Sequence, residues 1–205
     1  SLSGLGVLAD GTGAIVSLRA EQGAVTIDLT GPDAVLLPER LATGVSPYGV
    51  DTDGAGNWAV IGSVGWVGKG SRNGTSVADS DLITLVDTSV RPFRSVDHAA
   101  VASVAEGVAI SPDGRWVVAL CMAGSQLPAG SAGHSPTGRL ELFANDEGTL
   151  RKVDSLPTGA AAQGVVFSSD SGRVVAHLYA DRCLGVYEVS ADGLPMAVSR
   201  GLDPD

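Results

Sequence analysis

Hydrophobic and polar positions along the chain form short apolar runs separated by turn residues, without helical spacing. In AEGVAISPDGRWVVAL, residues 105–120, one apolar run ends at Ser-Pro-Asp-Gly and a second run follows directly. Asp-Gly between two apolar runs is a strong hairpin signal, so this stretch predicts two antiparallel strands joined by a tight turn. No window carries the i, i+3, i+4, i+7 apolar stripe of an amphipathic helix. The pattern therefore predicts an all-β protein.

The hairpin pattern recurs along the chain at a regular interval. Gly-Val pairs open four units, at positions 6–7, 49–50, 107–108 and 164–165. The second and third units each carry an additional Gly- and Ser-rich insert, near residues 65–80 and 124–138. Without these inserts every unit has about 42 residues, which is the repeat length typical of β-propeller blades.

Each unit contains four candidate strands. In the third unit these are Gly107–Ile110, Arg115–Cys121, Arg139–Phe143 and Leu150–Ser155. A four-stranded sheet cannot bury both of its faces alone, so neighbouring units must stack on one another. We therefore predict a β-propeller of four-stranded antiparallel blades, about four in this chain, as a partial or unusually small propeller. Residues 1–205 form one propeller domain or propeller fragment, with blades at about 4–44, 45–103, 104–160 and 161–200.

The glycine that opens each unit predicts the place of the first strand. First strands crowd around the central channel of a propeller, where a residue without a side chain permits close approach. The apolar run after each turn does not alternate, so we predict that the second strand is covered on both faces.

GVAISPDGRWVVAL at 107–120, followed by GRLELFANDEGTLRKVDSLPTG at 138–159, resembles the YVTN or lactonase-type (6-phosphogluconolactonase-like) propeller repeat. LITLVDTSVRPFRSV at 82–96 resembles the third and fourth strands of the same repeat, and the resemblance covers about residues 46–193. Propellers of that family usually have seven blades, whereas this chain holds four. The chain is therefore a piece of a longer protein, an unusually small ring, or an arc whose copies self-associate through open blade faces. The resemblance also implies a periplasmic or extracellular location, with the cytoplasm as the alternative.

Composition excludes several partners and cofactors. The net charge is −10, and the 13 basic residues are scattered, so we expect no nucleic acid partner. No apolar run reaches the 18 or more residues of a membrane span, so we expect none. The sequence lacks a phosphate loop, a zinc motif and a dinucleotide fingerprint, so we predict no cofactor and no metal site.

The resemblance implies that the second-to-third strand loops and the links between blades share one face, where ligands bind at the channel mouth. Both inserts would then lie over that face. The candidate ligand-binding residues are Tyr48, Trp66, Lys69, Arg72, Glu106, His134 and Gln163. Together, aromatic and charged groups of this kind can hold a small polar or anionic ligand. The alternative is that the inserts are merely flexible, solvated loops.

Three functions follow from these candidates. The first is a scaffold that binds a small polar ligand or a protein partner through the long loops. The second is a lactonase-type hydrolase, which the resemblance permits, with His134 or Glu106 as the general base and Lys69 and Arg72 facing the oxyanion. The third is a structural repeat segment of a larger surface or periplasmic protein.

Overall fold

A computed structural model describes residues 1–66, 79–194 and 196–201. All regular secondary structure in these residues is β-strand, arranged as four antiparallel sheets of four strands each. The prediction of an all-β propeller with four-stranded antiparallel blades is confirmed. The described part of the chain has no helix long and apolar enough to cross a membrane.

Each sheet is a blade whose strands pair in chain order. Blade 1 consists of β1 (Leu2–Val7), β2 (Gly13–Leu18), β3 (Gly23–Asp28) and β4 (Val35–Ala42). Blade 2 consists of β5 (Pro47–Thr52), β6 (Trp58–Ser63), β7 (Asp81–Asp87) and β8 (Arg94–Val101). Blade 3 consists of β9 (Ala105–Ile110), β10 (Trp116–Cys121), β11 (Gly138–Asp146) and β12 (Thr149–Thr158). Blade 4 consists of β13 (Ala162–Phe167), β14 (Arg173–Leu178), β15 (Cys183–Glu188) and β16 (Met196–Gly201).

The Ser-Pro-Asp-Gly hairpin of blade 3 shows why the repeat folds locally. The Ser111 hydroxyl donates to Asp113 Oδ1 at 2.6 Å and accepts the Trp116 N–H at 2.9 Å. Asp113 Oδ1 also accepts the Arg115 N–H at 3.1 Å. Gly114 has φ of 72°, a left-handed conformation that glycine adopts without a steric penalty. The side chains of the turn therefore accept hydrogen bonds from its own backbone N–H groups and stabilise the connection between β9 and β10.

Hydrophobic cores fill the spaces between consecutive blades. The core between blades 3 and 4 joins residues such as Leu120 and Leu142 to Val174 and Tyr187. Equivalent cores lie between blades 2 and 3 and between blades 1 and 2. Because these side chains are buried only when a neighbouring blade is present, stacking rather than the single blade supplies the core.

The opening glycines allow the first strands to approach closely. A Cβ atom at Gly49 would lie 3.1 Å from the carbonyl oxygen of Glu106, and one at Gly6 would lie 2.8 Å from the Val50 side chain. A Cβ at Gly107 would collide with the carbonyl oxygen of Gln163. The predicted role of these glycines on the inner strands is confirmed.

The four blades form an open arc. The first strands β1, β5, β9 and β13 contact one another in that order, whereas the described parts of blades 1 and 4 make no comparable contact. Leu5 on the outer side of blade 1 is 61% exposed, and Val166 on the outer side of blade 4 is 60% exposed. In the part of the chain that the structure describes, no further blade packs on the outer side of blade 1 or of blade 4.

Candidate functional site

The two ends of the channel carry different connections. One end carries the turns that join the first strand to the second and the third strand to the fourth in each blade. The other end, here called the mouth face, carries the loops between second and third strands and the links between blades. Among the described residues, the mouth face consists of 19–22, 64–66, 79–80, 122–137 and 179–182, with the links 43–46, 102–104 and 159–161. Both long inserts therefore leave their blades at the mouth face. Lys69 and Arg72 lie outside the described residues.

Tyr48, Glu106 and Gln163 occupy the same place in three successive first strands, immediately before the Gly-Val pairs. All three residues are half-buried. Their strands are adjacent, as the close approaches of Gly49 to Glu106 and of Gly107 to Gln163 show. The repeat therefore brings these three predicted residues to neighbouring positions along the inner wall.

Arg19 joins this group from blade 1. Its guanidinium carbon lies 5.4 Å from the centroid of the Tyr48 ring, which is the geometry of a cation–π contact. The Arg19 charge also acts on the Glu106 carboxyl. Arg19, Tyr48 and Glu106, here called the mouth triad, come from three different blades. They supply one cation, one aromatic ring and one carboxyl group.

Arg19 was missing from the sequence-based candidates. The signal that could have revealed it is its position directly after β2, in the same class of loop as the two inserts. That loop is short in blade 1, whereas the sequence analysis considered only the long loops.

An apolar floor supports the Tyr48 ring. Val64, Val104 and Met122 form a buried cluster at the mouth face, and Tyr48 packs against it. These side chains come from the second-to-third strand loops of blades 2 and 3 and from the link between the two blades. The floor fixes the position of the ring, so Tyr48 presents a rigid aromatic surface.

Burial raises the pKa of the Glu106 carboxyl above its usual range, and the nearby Arg19 charge partly opposes this effect. A carboxyl of this kind keeps its proton to a higher pH than an exposed glutamate does. Glu106 can therefore donate a hydrogen bond when protonated and accept hydrogen bonds when ionised.

A second buried carboxyl, Asp81, lies at the end of the first insert. Asp81 Oδ2 accepts the N–H of Val104 at 2.6 Å, which ties β7 to the link between blades 2 and 3. Burial raises the pKa of Asp81 to about 6, against the opposing effect of that hydrogen bond. The contact holds together the segment that carries the apolar floor.

Two further described candidates, Trp66 and His134, belong to the two inserts. Trp66 is 59% exposed. His134 is exposed, and its Nδ1 atom lies 3.0 Å from the carbonyl oxygen of Leu127 within the same insert. Among the described residues, no hydrogen bond or ion pair links His134 to Glu106. His134 thus contacts its own insert, whereas Glu106 is influenced by the charge of Arg19.

No metal centre is evident in the part of the chain that the structure describes, where no three His, Cys, Asp or Glu residues form a suitable group. The aspartates of the Asp51-Thr-Asp53 turn have structural partners. Asp51 Oδ2 accepts the Ile110 N–H at 2.9 Å, and Asp53 Oδ1 accepts the N–H groups of Asn57 and Trp58. Asp53 thus stabilises the turn between β5 and β6, and Asp51 links β5 to β9 of blade 3.

A separate cleft of about 380 Å³ lies between blades 3 and 4 at the mouth face. Its lining includes Tyr187, Thr158 and Asp181. The Tyr187 and Thr158 hydroxyls bond to each other at 2.9 Å, and Asp181 accepts the Ala160 N–H at 3.3 Å. Because these polar groups already have partners within the protein, the cleft offers less binding chemistry than the mouth triad.

Comparison with known proteins identifies the fold. No model of a known protein family matches the chain, and no curated protein matches it. Among solved structures, a candidate 6-phosphogluconolactonase from Bacteroides uniformis matches with a TM-score of 0.72 and 13% identity, over 98% of this chain and 55% of the other. Hydrazine synthase from Kuenenia stuttgartiensis matches with a TM-score of 0.69 and 16% identity, over 99% and 55%.

The β-propeller domain of Cps50 (Swd1) from Myceliophteria thermophila also matches, with a TM-score of 0.56 and 10% identity, over 97% of this chain and 58% of the other. The chain therefore has a propeller-like fold with lactonase-like structural neighbours, and it spans little more than half the length of these proteins. Since their names describe different activities, the shared fold does not specify one.

Proposed function

We propose that the chain is a ligand-binding propeller module that holds a small, hydroxyl-rich molecule of the sugar or sugar-acid class at the mouth triad. The convergence of Arg19, Tyr48 and Glu106 from three blades is the observation that carries this proposal. The Arg19 cation stacks on the Tyr48 ring, which packs on an apolar floor, and the Arg19 charge acts on the half-buried Glu106 carboxyl. Such a combination of groups suits a small polar ligand.

The chemistry of the three groups favours this ligand class. A sugar ring presents C–H groups that pack on the Tyr48 ring and hydroxyl groups that bond to the Glu106 carboxyl. A carboxylate or phosphate on the same ligand would pair with the Arg19 guanidinium, which is suited to oxyanions. The ligand would thus bridge blades 1, 2 and 3.

Isothermal titration calorimetry with gluconate, 6-phosphogluconate, glucose and glucono-δ-lactone tests this proposal. We expect binding of at least one of these compounds, and Tyr48→Ala to weaken it by about two- to twelvefold, because an aromatic contact contributes about 0.5–1.5 kcal/mol. Tyr179→Ala is the matched control, since Tyr179 is an exposed tyrosine in the mouth-face loop of blade 4. Equal loss in both variants, or no binding at all, would contradict the proposal.

The charge of the ligand is tested by a second pair of variants. Arg19→Gln should reduce the affinity for an anionic compound more than that for glucose. Arg182→Gln, which changes an arginine in the mouth-face loop of blade 4, should leave both affinities unchanged. A parallel loss for neutral and anionic compounds would assign Arg19 a purely structural role.

A lactonase-type hydrolase is the second candidate, favoured by the raised pKa of Glu106 beside a cation. In such a reaction Glu106 would act as the base that takes a proton from the attacking water, and Arg19 would stabilise the oxyanion formed at the lactone carbonyl. Hydrolysis of glucono-δ-lactone that is lost in Glu106→Gln and retained in His134→Ala would support this candidate. Binding without turnover would support the binding module alone.

A further inference from the structure

The links between blades share an unusual backbone conformation directly before each first strand. Ser46, Val104 and Ala161 precede β5, β9 and β13, and their φ values are 55°, 60° and 47°. A positive φ is uncommon for residues other than glycine, and for a β-branched residue such as Val104 it is an outlier. Such a conformation persists only where the surrounding structure holds it. The contacts of these three residues therefore indicate what fixes the start of each first strand.

In two of the links, a side chain from a long insert accepts the N–H of the left-handed residue. Asp81 Oδ2 accepts the Val104 N–H at 2.6 Å, and Ser125 Oγ accepts the Ala161 N–H at 2.9 Å. Asp81 directly follows the first insert, and Ser125 lies within the second. In the part of the chain that the structure describes, no side chain accepts the N–H of Ser46, whose link follows the short loop of blade 1. Each long insert is thus tied to the link that follows its blade.

Val104 connects these ties to the mouth triad. Its carbonyl oxygen accepts the N–H of Glu106 at 2.9 Å and the N–H of Met122 at 3.0 Å. Its side chain belongs, with that of Met122, to the apolar floor under the Tyr48 ring. The Ser125 hydroxyl in turn donates to the Met122 carbonyl oxygen at 2.6 Å. A continuous chain of hydrogen-bonded residues therefore joins both inserts to the backbone of Glu106.

The acceptor at one end of this chain is closely confined. Asp81 is buried, and a Cβ atom at Gly65 would collide with its carboxyl group. A hydrogen bond with an ionised acceptor is stronger than one between neutral groups. Loss of the carboxyl would leave the buried N–H of Val104 without a partner, which is costly. The place of Asp81 therefore suits it to hold Val104 rather than to reach a ligand.

We propose that Asp81 and Ser125 are positioning residues of the mouth triad, and that the two inserts control ligand binding through them. The two side chains hold Val104 and Ala161 in the conformation that starts β9 and β13. They thereby fix the position of Glu106 and of the apolar floor. This inference rests on the proposed function and deepens it, because it assigns to the inserts the regulation of the same site.

Calorimetric titration of matched variants tests the inference with gluconate, 6-phosphogluconate, glucose and glucono-δ-lactone. A compound that binds the wild type should bind Asp81→Leu about tenfold more weakly, because a hydrogen bond to a charged group is lost. Asp81→Asn should bind within about twofold of the wild type, since its amide oxygen still accepts the Val104 N–H. Asp79→Leu, which removes an exposed carboxylate two residues away, should leave the affinity unchanged. Wild-type affinity in Asp81→Leu, or an equal loss in Asp79→Leu, would overturn the inference.

Ser125→Ala is the milder variant and decides the question if Asp81→Leu does not fold. It should weaken binding by about threefold, as expected when a hydrogen bond between neutral groups is lost. Ser131→Ala is the matched control, because the Ser131 hydroxyl donates to the Pro128 carbonyl oxygen within the same insert. Equal affinities in the two variants would contradict a positioning role for Ser125.

Hydrogen exchange on the ligand-free chain provides a readout that does not depend on the ligand. Asp81→Leu should speed exchange of the Val104 and Glu106 amides by about tenfold and spare that of Ala161, whereas Ser125→Ala should speed exchange at Ala161. Unchanged exchange at Glu106 in Asp81→Leu would overturn the inference.

The two measurements separate this inference from the proposed function. If none of the four compounds binds the wild type while exchange changes as expected, the ligand-binding proposal fails and the positions assigned to Asp81 and Ser125 are supported. If the wild type and Asp81→Leu bind equally well although the Glu106 amide exchanges faster, the mouth triad keeps its function and the positioning role is overturned.

Discussion

The interface between blades 2 and 3 and the outer face of blade 1 use similar residues in the same register and differ in what covers them. Val108 and Val7 each follow the opening glycine of a blade, and each lies on the side of its sheet opposite to that glycine. Val108 is packed against blade 2, whereas Val7 is half-exposed. Local sequence therefore determines which way these two side chains point, and the neighbouring blade determines how deeply each is buried.

The largest expected effect contrasts a covered leucine with an uncovered one. Leu120→Ala should lower the free energy of unfolding by about 2–5 kcal/mol, because it leaves a cavity between blades 3 and 4. Leu5→Ala should change it by less than about 0.5 kcal/mol, since that side chain is exposed. Urea denaturation measures both. Similar losses would show that the outer side of blade 1 is covered in solution.

The buried carboxyl at the blade 2–3 interface gives a pH-dependent test. The pKa of Asp81 is raised from 3.8 to about 6, so between these values the folded chain keeps a proton that the unfolded chain has lost. Its contribution to stability is therefore complete below pH 3.8 and is lost as the pH rises to about 6. The loss amounts to at most about 3 kcal/mol.

Asp81→Asn should remove most of this pH dependence, because an amide oxygen still accepts the Val104 N–H without carrying a charge. Asp51 and Asp53, whose pKa values burial also raises, contribute with the same sign and remain in the variant. Unfolding free energies of both proteins at pH 4, 5, 6 and 7 provide the comparison. An unchanged slope in Asp81→Asn would assign the pH dependence to other carboxyls.

Two of the opening glycines provide a matched pair of substitutions, with an expected effect on stability of intermediate size. Gly107→Ala should destabilise the chain by about 1–3 kcal/mol, because the added methyl group collides with the Gln163 carbonyl of the next blade. Gly164→Ala should be neutral or slightly stabilising, since its methyl group meets open space and the substitution restricts the unfolded chain. Thermal unfolding distinguishes the two. Equal losses would contradict the difference in surroundings between Gly107, which faces the next blade, and Gly164, which does not.

The smallest expected effect concerns a single hydrogen bond between blades 1 and 2. The buried Ser17 hydroxyl donates to the carbonyl oxygen of Tyr48 at 2.7 Å and accepts the Gly4 N–H at 2.7 Å. Ser17→Ala should cost about 1–2 kcal/mol, as expected for polar groups left without a partner. Ser3→Ala is the control, because its hydroxyl donates only at the partly exposed edge, to Pro47. A larger loss in Ser3→Ala would place the main contact between blades 1 and 2 at that edge.

Much of the fold could be predicted because its turns are formed by interactions between residues close together in the sequence. Ser111 and Asp113 form their turn with atoms no more than five residues away, so the hairpin is visible in the sequence. The adjacent places of Tyr48, Glu106 and Gln163 also followed from the repeat. Arg19 was missed because its contact with Tyr48 depends on the packing of two blades rather than on a motif. His134 lies in an insert outside the repeat, so its position could not be predicted.

The sequence by itself determined the four-stranded units, their turns, the inner place of the opening glycines and the two faces that each sheet presents. These features depend on backbone conformation and on alternation along single strands, both of which are local. The tertiary structure alone decided which faces are covered, that Arg19 stacks on Tyr48 and that its charge acts on Glu106. Burial and cation–π contact require surfaces that are distant in the chain to meet, and the stacking and curvature of the blades bring those surfaces together.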